Sequence, residues 1–404
     1  MNAVSTFTPV VRPDQQFDPR LFYVPAFEMR IEGAGLPENV LRDISEFTYR
    51  DSLTELDQFE ITVNNWNADG RRFKFIGSES AADLTSAEPE KRLYRLFEPC
   101  GKEVTISMGY AGALVPMMIG NFTTMDCHFP NSGAPTLAVR GLNAFHRLRT
   151  NKYSTAWVGK SPSEIATNIG TLSDHGKPRF KWPIDIIKGT KSGEQPIPYF
   201  AQTSQYDIDF LLNLARQHGY ELRLVGEGNN RRVEFGRASD AHRPVNYQLD
   251  WGRTLVDFAP TITTAGQFKS ITVRGWDRAA QRPISEKVDF NGPELKRMNA
   301  RFAKLVDQCD PQVDECVDLP VFSRADARQR AIALMRDNSA RILRASGTAI
   351  GLPDLRAGTR VRIGNLGARI SGDYLVTKTT HTIGEGGYTT KFECRLEDFK
   401  GAQA

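Results

Sequence analysis

Six histidines and five cysteines are the side chains here best suited to general-base, nucleophilic or metal chemistry, and their spacing joins none of them into a site. His128, His146, His175, His218, His242 and His381 stand singly. A histidine base needs a nucleophile within hydrogen-bond reach, and none is evident, so each reads as a surface or packing residue. His218 falls in the last turn of a predicted helix, where a partly cationic imidazole suits the dipole. Cys100, Cys127, Cys309, Cys316 and Cys394 show no CxxC spacing, and their odd number leaves at least one thiol unpaired within the chain. Cys127 and His128 are strand neighbours that point to opposite faces, which argues against a shared metal. Cys309 and Cys316 flank Asp310, Asp314 and Glu315, and that segment reads as a solvated loop. There is no P-loop, no G-x-S-x-G elbow and no H-E-x-x-H helix. A glycoside-cleaving carboxylate pair would need a helical module for which no stretch is left over. The glycine runs Gly109–Gly112 and Gly384–Gly387 lie between strands, where phosphate binding is not indicated. Trp66, Trp251 and Trp276 stand beside strand ends and read as core or interface. Phe145-His146-Arg147 is the nearest approach to a nucleic-acid stacking platform, and it is a weak one. The expectation is a chain with no catalytic residue, no cofactor and no metal.

The elements that would position any site must come from 404 residues, enough for two or three domains. With 52 Lys+Arg against 48 Asp+Glu, a net charge of +4 is too small to predict nucleic-acid or membrane binding. No apolar run reaches membrane-spanning length, and Met1 to Arg12 lacks the pattern of a signal peptide. A soluble product made in the cytoplasm is expected.

Residues 1–22 read as a flexible arm, with Pro9, Pro13 and Pro19 and little periodicity. From 23 to 150 the texture is β. Phe59, Ile61 and Val63 alternate with polar residues in Asp57–Asn65, as do Val104, Ile106 and Met108. Val115–Phe122 and Thr136–Arg140 follow, the latter with Leu137 and Val139 on one face. Residues 151–245 read as a mixed α/β insertion. Ser161-Pro162-Ser163-Glu164 opens a helix with Ile165 and Ile169 on one face. A loop is expected over Gly176–Pro198. Ser204 and Asp207 read as a capping box for the best helix, with a stripe of Ile208, Leu211, Leu212 and Ala215 and a stop at Gly219. Tyr220–Val225, a turn over Gly226–Asn230 and Arg232–Phe235 complete a hairpin. Residues 246–404 return to strands. Phe268, Ile271 and Val273 lead into Gly275-Trp276-Asp277. A polar connection is expected from Arg278 to Val321. Ser323 and Asp326 then open a helix near 323–342, with Ala327, Ala331, Leu334 and Met335 as its stripe. Val361 and Ile363, Tyr374–Thr380 and Tyr388–Leu396 supply the last strands. The order predicted is barrel, insertion, barrel.

One internal echo supports that division. Val139-Arg140-Gly141-Leu142-Asn143 matches Val273-Arg274-Gly275-Trp276-Asp277, each after an alternating strand. Arg140 and Arg274 are the candidate equivalent positions, either in interface ion pairs or capping strand ends.

Four stretches carry a family likeness. Tyr49 to Asn65 (YRDSLTELDQFEITVNN) is an acidic turn before a D-x-F-x-[IL]-x-[VL] strand. Val104 to Leu148 holds a G-Y-x-G turn, a G-x-[FI]-T strand and a V-x-G-L strand ending in His-Arg-Leu. Gln202 to Tyr220 follows a Q-x-x-x-S-D-x-x-F-L-x-x-L-A-x-x-x-G-[YF] helix, with Tyr206 where Ser or Thr is usual. Gly351 to Arg395 holds G-x-P-x-L-x-x-G-x-x-[VI] and then a S-G-x-Y-x-V-x-x-x-x-H hairpin ending at His381. In this order they resemble the phage late control protein D family, the baseplate hubs of contractile tails. They are also similar to the N-terminal hub part of VgrG-type spike proteins in type VI secretion. The resemblance implies a mainly β fold with an α/β insertion, two tube-protein-like β-barrels per chain, and a homotrimer forming a pseudo-six-fold ring. It implies a hexameric tail tube protein, a separate spike protein and baseplate wedge or adaptor proteins as partners, with no membrane and no specific nucleic-acid binding. Assembly would take place in the bacterial cytoplasm, and the product would sit in a virion tail or injection-particle baseplate. The sequence ends at Ala404, without the OB-fold and β-helix of VgrG proteins and without a lysozyme module, so the spike is expected to be another polypeptide. A hub-like effector or wall-degrading enzyme is the alternative, and it would need a cleft of convergent titratable residues. A carbohydrate-binding β-protein would instead need Trp and Tyr on one sheet face.

Overall fold

The structure is a computed structural model that describes residues 24–397, apart from positions 54, 87, 100, 150, 181, 193, 219, 226–229, 238–244, 279, 294, 296–299, 309–311, 318–320 and 322. The expected arm (1–22), the Gly219 helix stop, residues 226–229 of the expected turn, Cys100, Cys309, Asp310 and His242 lie outside the described residues. The described chain is mostly β.

Period-two alternation builds the first strands. β1 (Pro25–Ile31), β2 (Ile44–Ser52), β3 (Gln58–Asn64), β4 (Glu103–Tyr110), β5 (Ala113–His128) and β6 (Thr136–Asn143) are antiparallel neighbours in the order β2-β3-β6-β5-β4-β1. The apolar positions read from the sequence, Phe59, Ile61, Val63, Val104, Ile106, Met108, Leu137 and Val139, all face inward and are buried. They share one core with Phe47, Tyr49, Phe75, Phe97 and Phe122. Each such burial contributes about 1.5–3 kcal/mol against chain entropy.

Helices enter with the next segment. β7 (Lys152–Lys160) leads into α1 (Pro162–Thr171), followed by β8 (Ile184–Ile186), β9 (Ile197–Tyr206), α2 (Asp207–His218), β10 (Tyr220–Val225) and β11 (Arg232–Arg237). Ser161 caps α1 through a reciprocal bond with Glu164, Pro162 holds the first turn, and Ile165 and Ile169 are buried as the stripe requires. β7 pairs with β9, and β11 lies between β8 and β10. The Gly176–Pro198 segment expected as a loop thus contains β8, which pairs in parallel through Ile184 and Ile186. The capping box expected at Ser204 is absent. α2 begins at Asp207, so Ser204 lies in β9, at a φ of 46°. The Asp207 side chain is instead taken up in a buried ion pair.

β12 (Val245–Asp250), β13 (Leu255–Ile262), β14 (Phe268–Asp277), β15 (Arg282–Asp289), β16 (Gln312–Cys316) and α3 (Arg324–Ala340) come next. The polar connection expected from Arg278 to Val321 contains β15 and β16. The alternation of Ile284 and Val288 in β15 is interrupted by Glu286 at the position between them on the same face, with Arg282 before and Lys287 beside it, which is why it reads as a linker. β14 pairs antiparallel with β15 and parallel with β16, and α3 packs on β14 and β15. Ser323 Oγ accepts the Asp326 N–H, and Ala327, Ala331 and Met335 are buried.

The last strands are β17 (Leu343–Ile350), β18 (Arg360–Gly364), β19 (Gly372–Gly384) and β20 (Gly387–Leu396). The chain divides into two compact units. One comprises Met1–Arg147, Thr348–Arg356 and Lys378–Phe392, and the other Leu148–Gly347, Ala357–Thr377 and Glu393–Ala404. In the first unit, residues 378–383 of β19 pair with β2, and β20 lies beyond β19. No strand pairing among the described residues closes this unit's sheet into a barrel. A side chain links its two sides instead, because the Tyr110 hydroxyl of β4 donates to the Gly351 carbonyl at 2.9 Å and the ring packs on Tyr388. In the second unit, β12 and β18 run parallel, and β18 pairs antiparallel with residues 372–375 of β19.

Candidate functional site

The densest cluster of titratable side chains joins the first and fourth of the motif stretches within one unit. Arg356, from the segment after β17, sends Nε to Asp51 Oδ2 at 2.6 Å and Nη2 to the Met117 carbonyl at 3.1 Å, and it also donates to the Tyr49 hydroxyl. Its guanidinium lies 4.7 Å from the centre of the Tyr49 ring. The second oxygen of Asp51 accepts from Thr379 Oγ. Two residues further along β19, His381 Nε2 faces the Leu355 carbonyl at 3.1 Å. A carbonyl only accepts, so Nε2 carries the proton and Nδ1 accepts from the Tyr388 hydroxyl at 3.0 Å. Thr390, 3.2 Å from Nδ1, accepts the Leu352 N–H.

The electrostatics follow from burial. Burial alone would raise the Asp51 carboxyl, but Arg356, His381 and the Thr379 hydroxyl hold it below its ordinary value. Burial would likewise lower Arg356, and Tyr49 and Asp51 hold it above its ordinary range. Burial lifts the Tyr49 phenol well above 10 against the pull of Arg356. Burial, with help from Arg356, pushes His381 down to about 4 against the opposing Asp51 charge. At neutral pH the cluster is therefore one guanidinium–carboxylate pair beside a neutral imidazole, every polar atom of which is committed. It offers no open position beside the histidine. It acts as a clamp that fastens Thr348–Arg356 and β19 to β2 and β5.

The echo residues occupy comparable settings. Val139 and Val273 are buried in their sheets. Arg140, on the outer face of β6, bridges Glu60 of β3 at 3.1 Å and Asp126 of β5 at 2.7 Å. Arg274, on the outer face of β14, pairs with Glu315 of β16. Both thus tie neighbouring strands within the chain. Gly141 and Gly275 stand where a side chain has no room. A Cβ at 141 would lie 2.2 Å from the Phe59 ring and 2.5 Å from the Asn121 carbonyl oxygen, and one at 275 would lie 2.2 Å from Val321 Cγ2. The settings differ in one respect: β6 has two antiparallel neighbours, whereas β14 has one antiparallel and one parallel.

The third motif stretch builds a second buried pair. Arg179 Nε donates to Asp207 Oδ2 at 2.8 Å, its guanidinium lies 3.3 Å from the centre of the Tyr153 ring, and Gln202 Nε2 reaches Asp207 Oδ1 at 2.8 Å. The motif's Gln and Asp thus serve a polar core under α2. His218 closes that helix, but burial together with Arg330 and Arg237 drives it down to about 4. The cationic role expected for it at the helix end is therefore overturned. A pocket of about 300 Å³ opens between β9 and α2, floored by Phe200 and Phe210 and rimmed by Gln205, Asn213 and Arg216, with no carboxylate, histidine or thiol in its lining.

Among the described residues, no group of three His, Cys, Asp or Glu side chains could hold a metal, and Cys127 and Cys394 are free thiols. No helix there is long and apolar enough to cross a membrane. Trp251 and Trp276 are exposed. Arg356 and Arg179, which anchor the two buried pairs, were not singled out from the sequence. Arg356 stands two residues after Asp354 among Leu352, Leu355 and Ala357, and nothing local marks it.

The family model described as Alg8 N-terminal domain matches residues 91–385. None of the curated proteins matches the chain. Among solved structures, a tail protein from Neisseria meningitidis MC58 aligns with a TM-score of 0.65 at 12% identity, over 93% of this chain and 98% of that one. The 43 kDa tail protein of prophage MuSo2 from Shewanella oneidensis gives 0.62 at 14% identity, over 92% and 98%. The E. coli c3393 protein, a type VI secretion component described as similar to the phage T4 tail proteins gp27 and gp5, gives 0.53 at 12% identity, over 93% and 79%. At these identities the likeness is one of fold, and it runs nearly the full length of the chain.

Proposed function

The chain belongs to the Alg8 N-terminal domain family over residues 91–385, and on the separate ground of its fold we propose that it is the structural baseplate hub of a contractile injection system, adapting a six-fold tail tube to a three-fold spike. The observation that carries this reading is the near-complete alignment with two tail proteins, each covered to 98%. The late control protein D resemblance is the finer form of the same assignment. In this reading three copies assemble around the axis, and each chain contributes two tube-like β modules. Val139-Arg140-Gly141 and Val273-Arg274-Gly275 mark equivalent places in the two. The role is mechanical, resting on interface area and symmetry rather than bond-making. The clamp of Asp51, Arg356 and His381 keeps the first unit's strands in register under load.

The test is the native mass by light scattering on a sizing column, with particle images from the same peak. A mass three times the 45.2 kDa chain, or a ring of three-fold or pseudo-six-fold symmetry, is the expected result. A monomer that stays single when the candidate spike protein is added overturns the hub reading.

A further inference from the structure

The pocket at the β9–α2 junction carries chemistry that the hub reading leaves unused. Two regular elements of one unit build it. Phe200 and Gln205 come from β9, and Phe210, Asn213 and Gln217 from α2. Spacings of three and seven residues put these last three on one face of the helix. The aromatic floor is the first feature that defines a ligand. The Phe200 and Phe210 rings have centres 5.4 Å apart and planes at 52°. A flat heterocycle can lie on only one of two rings tilted in this way. A puckered ring with C–H bonds on several sides can touch both, because each phenyl face is the negative pole of a quadrupole and attracts those hydrogens. The carboxamides are the second feature. Asn213 and Gln217 are exposed and Gln205 is half-buried, and among the described residues no group of the chain hydrogen-bonds to their side chains. A carboxamide presents donors and an acceptor on one planar group, and neighbouring hydroxyls present both as well, so the two pair in both directions.

Arg216 also lines the pocket but already interacts within the chain, and no carboxylate lines it. The site is thus equipped to hold a neutral polyhydroxylated ring and not to cleave it. Its volume of about 300 Å³ is at the low end for ligand pockets, room for a single ring with its substituents. We infer that the β9–α2 pocket binds one hexopyranose unit of a glycan, with C–H bonds against Phe200 and Phe210 and hydroxyls on Gln205, Asn213 and Gln217. The aromatic partners are phenylalanines at a strand–helix junction rather than Trp and Tyr along one sheet face, which is why no pattern in the sequence marks the site. This activity goes beyond the hub reading and holds whatever the oligomeric state.

The test is saturation-transfer difference NMR on the full chain. The probes are the methyl α-pyranosides of glucose, mannose and galactose together with N-acetylglucosamine, and uridine and adenosine serve as flat-ring comparators. At least one sugar should give a saturable signal with a dissociation constant on the order of 1 mM, the scale for about a dozen uncharged heavy atoms. Asn213→Trp, which fills the pocket from an exposed helix position, should abolish that signal. Gln205→Leu and Gln217→Leu should each weaken binding at least fivefold, while the near-ultraviolet circular dichroism stays that of the parent chain. Saturation by no sugar of the panel, or sugar binding that survives Asn213→Trp, overturns the site. Nucleoside binding that is tighter than any sugar's and is removed by Asn213→Trp overturns the assignment to a polyhydroxylated ring.

Discussion

Protonating His381 would put a second cation beside Arg356 and leave Nδ1–H facing the Tyr388 and Thr390 hydroxyls, where a lone pair now accepts. Both His381 and His218 sit at about 4 in the folded chain against an ordinary 6.5. Between those values the unfolded chain binds protons that the folded chain refuses. Stability is thus full above about pH 6.5 and falls as the pH drops toward 4, by about 2 kcal/mol per histidine at pH 5. Asp51, held low, adds a loss in the same direction at still lower pH. Urea unfolding at pH 7.5 and 5.0 should show this drop, and His381→Gln should remove about half of it. A flat profile would contradict the neutral clamp. The glycines of the echo make a second residue-scale prediction. Gly141→Ala meets a packed ring and a backbone carbonyl at 2.5 Å and should cost about 3 kcal/mol or more, whereas Gly275→Ala meets a Val321 methyl and, less closely at 3.2 Å, its carbonyl oxygen, and should cost less, about 2. Thermal melts of the two variants compare them directly. Val139, Arg140 and Gly141 could be singled out from sequence because a strand pattern and a repeat mark them. Arg356 could not, because its partners lie about 240 and 305 residues away and only the fold brings them to it.

Capping separates what local sequence controls from what tertiary contact controls. Ser161 and Ser323 each hold an N–H at the start of a helix, so Ser161→Ala or Ser323→Ala should cost about 1 kcal/mol. Ser204→Ala should cost far less, since Ser204 caps nothing, and Ser204→Gly should be neutral or stabilising at its positive φ. Denaturant midpoints for the four variants distinguish the cases. Of the three S-x-x-[DE] sites read as helix starts, two are caps. At the third, Arg179 captures Asp207 and Gln202 joins it, so the strand β9 runs on to Tyr206. Strands with clean alternation, such as β3 and β4, were legible residue by residue. β15 and β16 were not, since charges fill the outward positions of one and the other is only five residues long.

At the scale of the whole molecule, the sequence shows that β structure brackets a mixed segment, but not that the last strands return to finish the first unit. Residues 378–383 are register partners of Phe47–Ser52, across more than 320 positions, and no local pattern announces such a pairing. Ending the chain at Thr377 should therefore leave β2 without its neighbour and Asp51 without Thr379. The first unit should lose its cooperative melt, seen as loss of near-ultraviolet circular dichroism, while a chain ending after Glu397 keeps it.

That return also sets a timetable. On the ribosome, β1 to β6 emerge early and then wait, with the edge of β2 bare and a carboxylate lacking its arginine, while some two hundred further residues are made. Leu148–Gly347 is continuous and can condense in that interval, but the first unit cannot close until Arg356 and β19 leave the exit tunnel. The first unit therefore completes its sheet late in synthesis. A truncated or stalled copy presents an unfinished sheet with the edge of β2 bare and Asp51 without its arginine.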